Sequence, residues 1–180
     1  SSPSASVRRV WRRFAGAGDT VVVADKDAEG AKALGGTLGP EHPGLHVDVS
    51  DEASVVAMFG EVARRFGKVD VLVNNAAIAD TFTPALEQGP EQIERLLDVN
   101  LTGAFVCARE ALKIMPPGGV VLNLGSINTF LPFVPRHAYG ASKAGIDILT
   151  RCMAAELGPK GLRFATLAPG YIRTPGVAAL

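Results

Sequence analysis

Residues 120–143 read VVLNLGSINTFLPFVPRHAYGASK. Val120–Leu124 is a short apolar run that closes on Gly125-Ser126. Runs of this length, apolar on both faces, suit a buried parallel strand. Helical spacing follows over Ala138–Leu157 and stops at Gly158-Pro159. Working outward, the same alternation fills the chain. Thr20–Ala24 (TVVVA), Leu45–Val49, Val69–Val73 and Leu162–Leu167 are further strand-like runs. Between them, Asp27–Leu38 is Ala-rich, and Ser50 can cap a helix through Val55, Met58, Phe59, Val62 and Phe66. Pro90 suits the first turn of a long helix through Ile93, Leu96, Leu97, Leu101, Phe105 and Ala108, which stops before Pro116-Pro117. Strands alternating with helices predict an α/β fold, a doubly wound parallel sheet with right-handed crossovers.

The chain has 180 residues, which suits a single domain over 1–180. Apolar residues make up 47% and charged residues 20%, as in ordinary globular proteins. Lys plus Arg equals 18 and Asp plus Glu equals 18, so no charge excess recommends nucleic acid or an anionic membrane as partner. No apolar stretch is long enough to span a bilayer, and Ser1–Ser6 lacks a signal-peptide core. Cys107 and Cys152 form no CxxC pair, which removes the support for a disulfide scaffold or a zinc site. The expectation is a cytoplasmic domain with no metal.

Tyr139 and Lys143 stand four apart in the helical stretch, thirteen residues after Ser126. Positions i and i+4 share a helix face. An ammonium one turn from a phenol favours the phenolate, so such a pair can pass a proton to or from an alcohol or carbonyl oxygen. Ser126 closes a strand, where parallel sheets bind ligands, and can hydrogen-bond the same oxygen. Taken alone, YxxxK is a pattern that chance produces often.

It does not stand alone. Asn74-Asn75-Ala76-Ala77 follows VDVLV, Asp98-Val99-Asn100 lies in the long helix, and Pro169-Gly170-Tyr171-Ile172-Arg173-Thr174 follows the last strand. In order and spacing these segments resemble the short-chain dehydrogenase/reductase family, from about Val10 to Thr174. The resemblance implies a Rossmann-like fold. It also implies reversible hydride transfer between a nicotinamide cofactor and a secondary alcohol or ketone. Tyr139 matches the acid/base tyrosine, Lys143 its partner on the nicotinamide ribose, and Ser126 the serine that orients the reacting oxygen. Asn100 matches the asparagine of a water-linked proton relay. Asn74 and Ala76 match the NNAG segment near the adenosine, with Ala77 in place of the pattern's glycine. Asp48 and Val49 match the stretch near the adenine ring. Pro169, Gly170, Ile172 and Thr174 match the segment against the nicotinamide carboxamide. The family's helices corresponding to 90–115 and 138–157 imply a homodimer or homotetramer.

Asp25 ends the TVVVA strand, where a carboxylate can accept both ribose hydroxyls of NAD and repel a 2′-phosphate, or can simply cap the next helix. The ribose role favours NAD; Lys26, Arg8 and Arg9 lie close enough in sequence to keep NADP open. The departure lies at the start. Ser1, Ala5 and Val7 align where the family places the glycines of TGxxxGxG, and no strand is recognisable before them. The sheet is therefore expected to be incomplete at both ends. A shortened form of a longer enzyme is one reading and a natural variant with a rebuilt sheet another. A non-catalytic dimerising or regulatory subunit remains the alternative function.

The remaining signals are smaller. Arg8, Arg9, Arg12 and Arg13 read as a solvated helix face. His42 and His46 lack metal-ligand spacing, and His137, two residues before Tyr139, is open between touching substrate and being a locally satisfied loop histidine. The apolar loop Ile127–Arg136 is expected to wall the substrate pocket with Phe130, Leu131 and Phe133. Such a wall admits polyols, sugars, 3-oxoacyl thioesters, steroids or small ketones.

Overall fold

The structure, a computed structural model, describes residues 5–79 and 82–172. In chain order the helices are α1 (Ala5–Gly16), α2 (Ala28–Leu38), α3 (Glu52–Phe66), α4 (Pro90–Leu97), α5 (Gly103–Leu112) and α6 (His137–Leu157). The strands are β1 (Val23–Asp25), β2 (Gly44–His46), β3 (Val71–Asn74), β4 (Val120–Leu124) and β5 (Arg163–Leu167). All pairings are parallel, β1 with β2 and β3–β4–β5 in that order, so the strands form two sheets. The fold is α/β and Rossmann-like, as the alternation of strands and helices predicts. Among the described residues, no helix is long and apolar enough to cross a membrane.

The contacts divide the chain into two compact units. The first holds the described residues up to Asp48, with Tyr171 and Ile172. Its core is Val21, Val23, Ala31 and Leu34, covered by Trp11, Phe14, Ala15 and Leu38. The arginines Arg9, Arg12 and Arg13 on α1 face solvent, as a basic helix with one apolar stripe must. Asp27 caps α2 by accepting from the Gly30 amide at 2.9 Å. Gly44 lets β2 run directly under α2, because a Cβ there would overlap the Ala31 and Lys32 backbone. His42 is buried, and its Nδ1 accepts from the Val21 amide at 3.0 Å, which makes it a satisfied core histidine.

The second unit is Val49–Gly170. Asp51, rather than Ser50, caps α3, accepting from the Ala53 amide at 3.0 Å. Val55, Met58, Phe59 and Val62 of α3 are buried, and so are Cys107, Ala108 and Ala111 of α5, against which α3 packs. Burial raises the Cys107 thiol to about 11, so this cysteine is a core group. The helix expected over 90–115 runs from Pro90 to Leu112 without a gap, but its winding changes on the way. Asp98–Thr102 winds as a π-turn between α4 and α5, and α5 ends at Leu112. Extra residues in a turn displace the side chains it carries, and such turns gather at functional sites.

The three-stranded sheet is covered on one face. Val121 and Asn123 of β4 are buried there under α5 and α6, while Arg163, Ala165 and Leu167 of β5 alternate to the exposed side. The apolar runs suggested cover on both faces. The helices of this unit supply cover for one, and Val71 and Leu167 stay 43% and 53% exposed.

Candidate active site

Ser126 sits just past the end of β4, at the mouth of the sheet, and is 8% exposed. Its Oγ accepts from the Asn128 amide at 3.2 Å, which starts a short 3-10 turn over Ile127–Thr129. The hydroxyl points its own hydrogen at Asn128 Oδ1 across 3.3 Å, a long bond that a better acceptor can displace. Thr129 Oγ1 donates to the Lys143 carbonyl at 3.1 Å and ties this turn to α6.

Tyr139 lies in the first turn of α6, half-buried, with Lys143 one turn on. The Lys143 ammonium stands 5.6 Å from the centre of the Tyr139 ring. It donates to the Leu124 carbonyl at the end of β4 at 2.6 Å. Lys143 is 4% exposed, and burial lowers its pKa to about 8. An ammonium has three donors, and among the described residues it bonds the Leu124 carbonyl, so the buried cation is suited to hydroxyl groups brought by a ligand.

Asn100 is carried inward by the π-turn and is 2% exposed. Its Oδ1 accepts from the Ile78 amide at 2.8 Å, and its Nδ2 donates to the Ile78 carbonyl at 2.9 Å and to Ser142 Oγ at 3.2 Å. The side chain thus clamps the segment after β3 to the helix that carries Tyr139. Gly103 closes the π-turn against Val49, where a Cβ would stand 2.7 Å from the Val49 carbonyl oxygen.

The other expected residues fall as follows. Asn74 ends β3, but its side chain turns inward, donating to the Ala104 carbonyl at 3.0 Å and to Asn123 Oδ1 at 2.9 Å. Ala76 is exposed beyond it. The Pro169 carbonyl accepts from the Ile127 amide at 3.0 Å, which brings Pro169 beside Ser126, and Gly170 is exposed next to it. In the first unit, Asp25 ends β1, its Oδ1 accepting from the Asp27 amide at 2.9 Å. Asp48 forms an ion pair with Lys26, which occupies the lysine that kept a 2′-phosphate site open. Ile172 is exposed, and Thr174 lies outside the described residues.

A polar line escaped the sequence reading. Asn123 Nδ2 donates to Thr150 Oγ1 at 2.8 Å, and Thr150 in turn donates to the Ile146 carbonyl at 2.6 Å. With Asn74 this line joins β3, β4, α5 and α6 through the buried side of the sheet. Its one signal was the Asn inside VVLNL, since a buried amide needs partners. Part of the loop Ile127–Arg136 lines a cavity. Phe133 and Val134 line a cavity of about 290 Å³ with Asn128, Arg136 and His137, while Phe130 and Leu131 do not line it and are 63% and 57% exposed.

A family model described as enoyl-(acyl carrier protein) reductase matches residues 8–180. The chain belongs to the short-chain dehydrogenase/reductase family. It is 55% identical over 165 residues to an uncharacterised short-chain type dehydrogenase/reductase of Sinorhizobium fredii, covering 92% of this chain and 30% of that one. It is 40% identical over 139 residues to a 3α-hydroxysteroid dehydrogenase of Mediterraneibacter gnavus, covering 76% of this chain and 55% of the relative. Among solved structures, sorbitol-6-phosphate 2-dehydrogenase from Erwinia amylovora superposes with a TM-score of 0.90 at 30% identity, over 96% of this chain and 70% of that one. The chain thus spans about a third to a half of the length of these two curated relatives.

Within the first unit, Asp25 offers a strand-end carboxylate whose chemistry suits ribose hydroxyls. Within the second unit, Lys143 offers a buried ammonium whose chemistry suits the same kind of hydroxyl. No Gly-rich turn opening a helix, which would cradle a pyrophosphate, occurs among the described residues.

Proposed function

We propose that this short-chain dehydrogenase/reductase is an NAD-dependent oxidoreductase that interconverts a secondary alcohol and a ketone, with 1–180 acting as one dinucleotide-binding and catalytic domain. The observation that carries the reading is Lys143, a buried ammonium bonded to the end of β4 and set 5.6 Å from the Tyr139 ring. A buried cation is costly, and its place beside a phenol at a strand end gives that cost a use.

In this reading Tyr139 Oη exchanges the proton of the substrate oxygen. Ser126 Oγ turns its hydrogen from Asn128 to the same oxygen and holds it in line. Lys143 keeps positive charge beside the phenol and binds the nicotinamide ribose hydroxyls. Asn100 fixes the Ile78 backbone and anchors the relay of protons to solvent. Asp25 accepts the adenosine ribose hydroxyls, Asp48 and Val49 border the adenine, and Asn74 and Ala76 offer their backbone beside the adenosine. Pro169, Gly170, Ile172 and Thr174 border the carboxamide. When bound, the nicotinamide supplies the hydride chemistry. Self-association through α4–α5 and α6 is supported by Phe105 and Ile148, which are 39% and 59% exposed on those helices.

Calorimetric titration with NADH and with NADPH tests the reading. NADH is expected to bind the more tightly, and Asp25→Ala to erase that preference, because the carboxylate no longer repels the 2′-phosphate. Binding of neither dinucleotide overturns the NAD reading, and an unchanged preference in Asp25→Ala removes Asp25 from it.

A further inference from the structure

Arg136 occupies an electrostatically costly position. It is the residue immediately before α6, at the helix end where aligned peptide dipoles already concentrate positive potential. Cations are disfavoured there, and α6 has no acidic residue in its first turn to compensate. The guanidinium makes no ion pair or hydrogen bond with any described residue, and its Nε is buried without an acceptor. Aromatic rings surround it instead: its Cζ lies 4.3 Å from the centre of the Phe82 ring, 5.9 Å from Phe133 and 5.5 Å from Tyr139. Rings fix the plane of a guanidinium and leave its edge donors for a ligand.

Two further observations point the same way. Arg136 lines the 290 Å³ cavity between the Ile127–Arg136 loop and the start of α6. Asn128, which lines the same cavity, carries a second buried donor without an acceptor, its Nδ2. An unpaired arginine, an unpaired amide and a helix N-terminus thus gather at one cavity, and the guanidinium reaches to 5.5 Å from the centre of the Tyr139 ring. Each lacks negative charge or an acceptor, and a carboxylate provides both.

We propose that Arg136 is a specificity-determining residue that binds the carboxylate of a hydroxy-acid substrate, or of the corresponding oxo acid, while Tyr139 works on its carbinol oxygen. The assignment rests on the oxidoreductase reading above and names the substrate class of the same site. The closeness of the guanidinium to the Tyr139 ring sets the carboxylate a few bonds from the carbinol carbon. Planar bidentate recognition is what arginine does better than lysine, so Arg136→Lys is expected to keep part of the effect and Arg136→Gln none.

The probes are 3-hydroxybutyrate, 4-hydroxypentanoate and 5-hydroxyhexanoate, each paired with its neutral amide. Binding to the full chain is measured by calorimetry with and without saturating NADH, for the wild type, Arg136→Gln and Arg136→Lys. At least one acid is expected to bind about ten- to a hundred-fold tighter than its amide, the range for a charge-assisted bond. Arg136→Gln should bring acid and amide together, and Arg136→Lys should keep an intermediate preference. A wild type that binds no acid better than its amide overturns the assignment, and so does a preference that survives in Arg136→Gln. NADH formation is followed in parallel. Arg136-dependent acid preference with no NADH formation from any of the three acids overturns the assignment to substrate recognition, whereas binding of neither NADH nor NADPH is what overturns the underlying NAD reading.

Discussion

Lys143 is where the site stores its cost. Its amine titrates near 8 when folded, against an ordinary value of 10.5, because burial penalises the ammonium. A depressed lysine binds fewer protons in the folded state than in the unfolded one between those two values, so stability rises with pH across that window. Below about pH 8 both states are protonated and the folded chain carries the full penalty. Lys143→Met removes the titration. The difference in unfolding free energy, wild type minus Lys143→Met, should therefore increase by roughly 3 kcal/mol from pH 7 to pH 11, measured by denaturant unfolding. A flat difference would show that the ammonium is solvated.

At the scale of elements, β4 and the π-turn organise the site. Asn123 of β4 connects Asn74 to Thr150, so Asn123→Leu leaves an amide and a hydroxyl without their shared partner in the core. The expected loss is about 2–4 kcal/mol, read from denaturant midpoints, against about 1 kcal/mol for a typical surface hydrogen bond. Gly103→Val drives a side chain into Val49 and should destabilise by about 1–3 kcal/mol or more. Thermal unfolding that leaves Gly103→Val unchanged would mean that the turn slides away from Val49 freely. These elements also show what a sequence discloses. Val120–Leu124 and Leu162–Leu167 were legible because β-branched and apolar residues bounded by Gly and Pro have few alternatives. Tyr139, Lys143 and Ser126 were legible because their spacing falls on one helix and one strand end. The π-turn was not, since DVNLT carries the same residue types as an α-helical turn and its shape is set by Asn100 reaching the Ile78 backbone. Nor was the role of Asn74, whose inward side chain depends on Asn123, 49 residues away. The capping of α3 by Asp51 instead of Ser50 turned on one residue of register.

At the scale of the whole molecule, the proposed self-association is tested on the exposed apolar side chains of the helices. Ile148 on α6 is 59% exposed and Phe105 on α5 39%. Apolar groups left in water on helix faces favour association with a second copy. Sedimentation equilibrium is expected to find a dimer or tetramer, and Ile148→Asp to shift it toward monomer. An oligomer indifferent to that charge would move the interface elsewhere.

Everything proposed for this site turns on proton exchange at Tyr139. The direct measurement compares wild type and Tyr139→Phe for NADH formation from secondary alcohols, with NADH affinity followed by fluorescence. Turnover should fall by about a thousand-fold or more, within the range of a lost general acid/base, with NADH affinity kept within about three-fold. A Tyr139→Phe variant that turns over at close to the wild-type rate would contradict proton exchange at Tyr139.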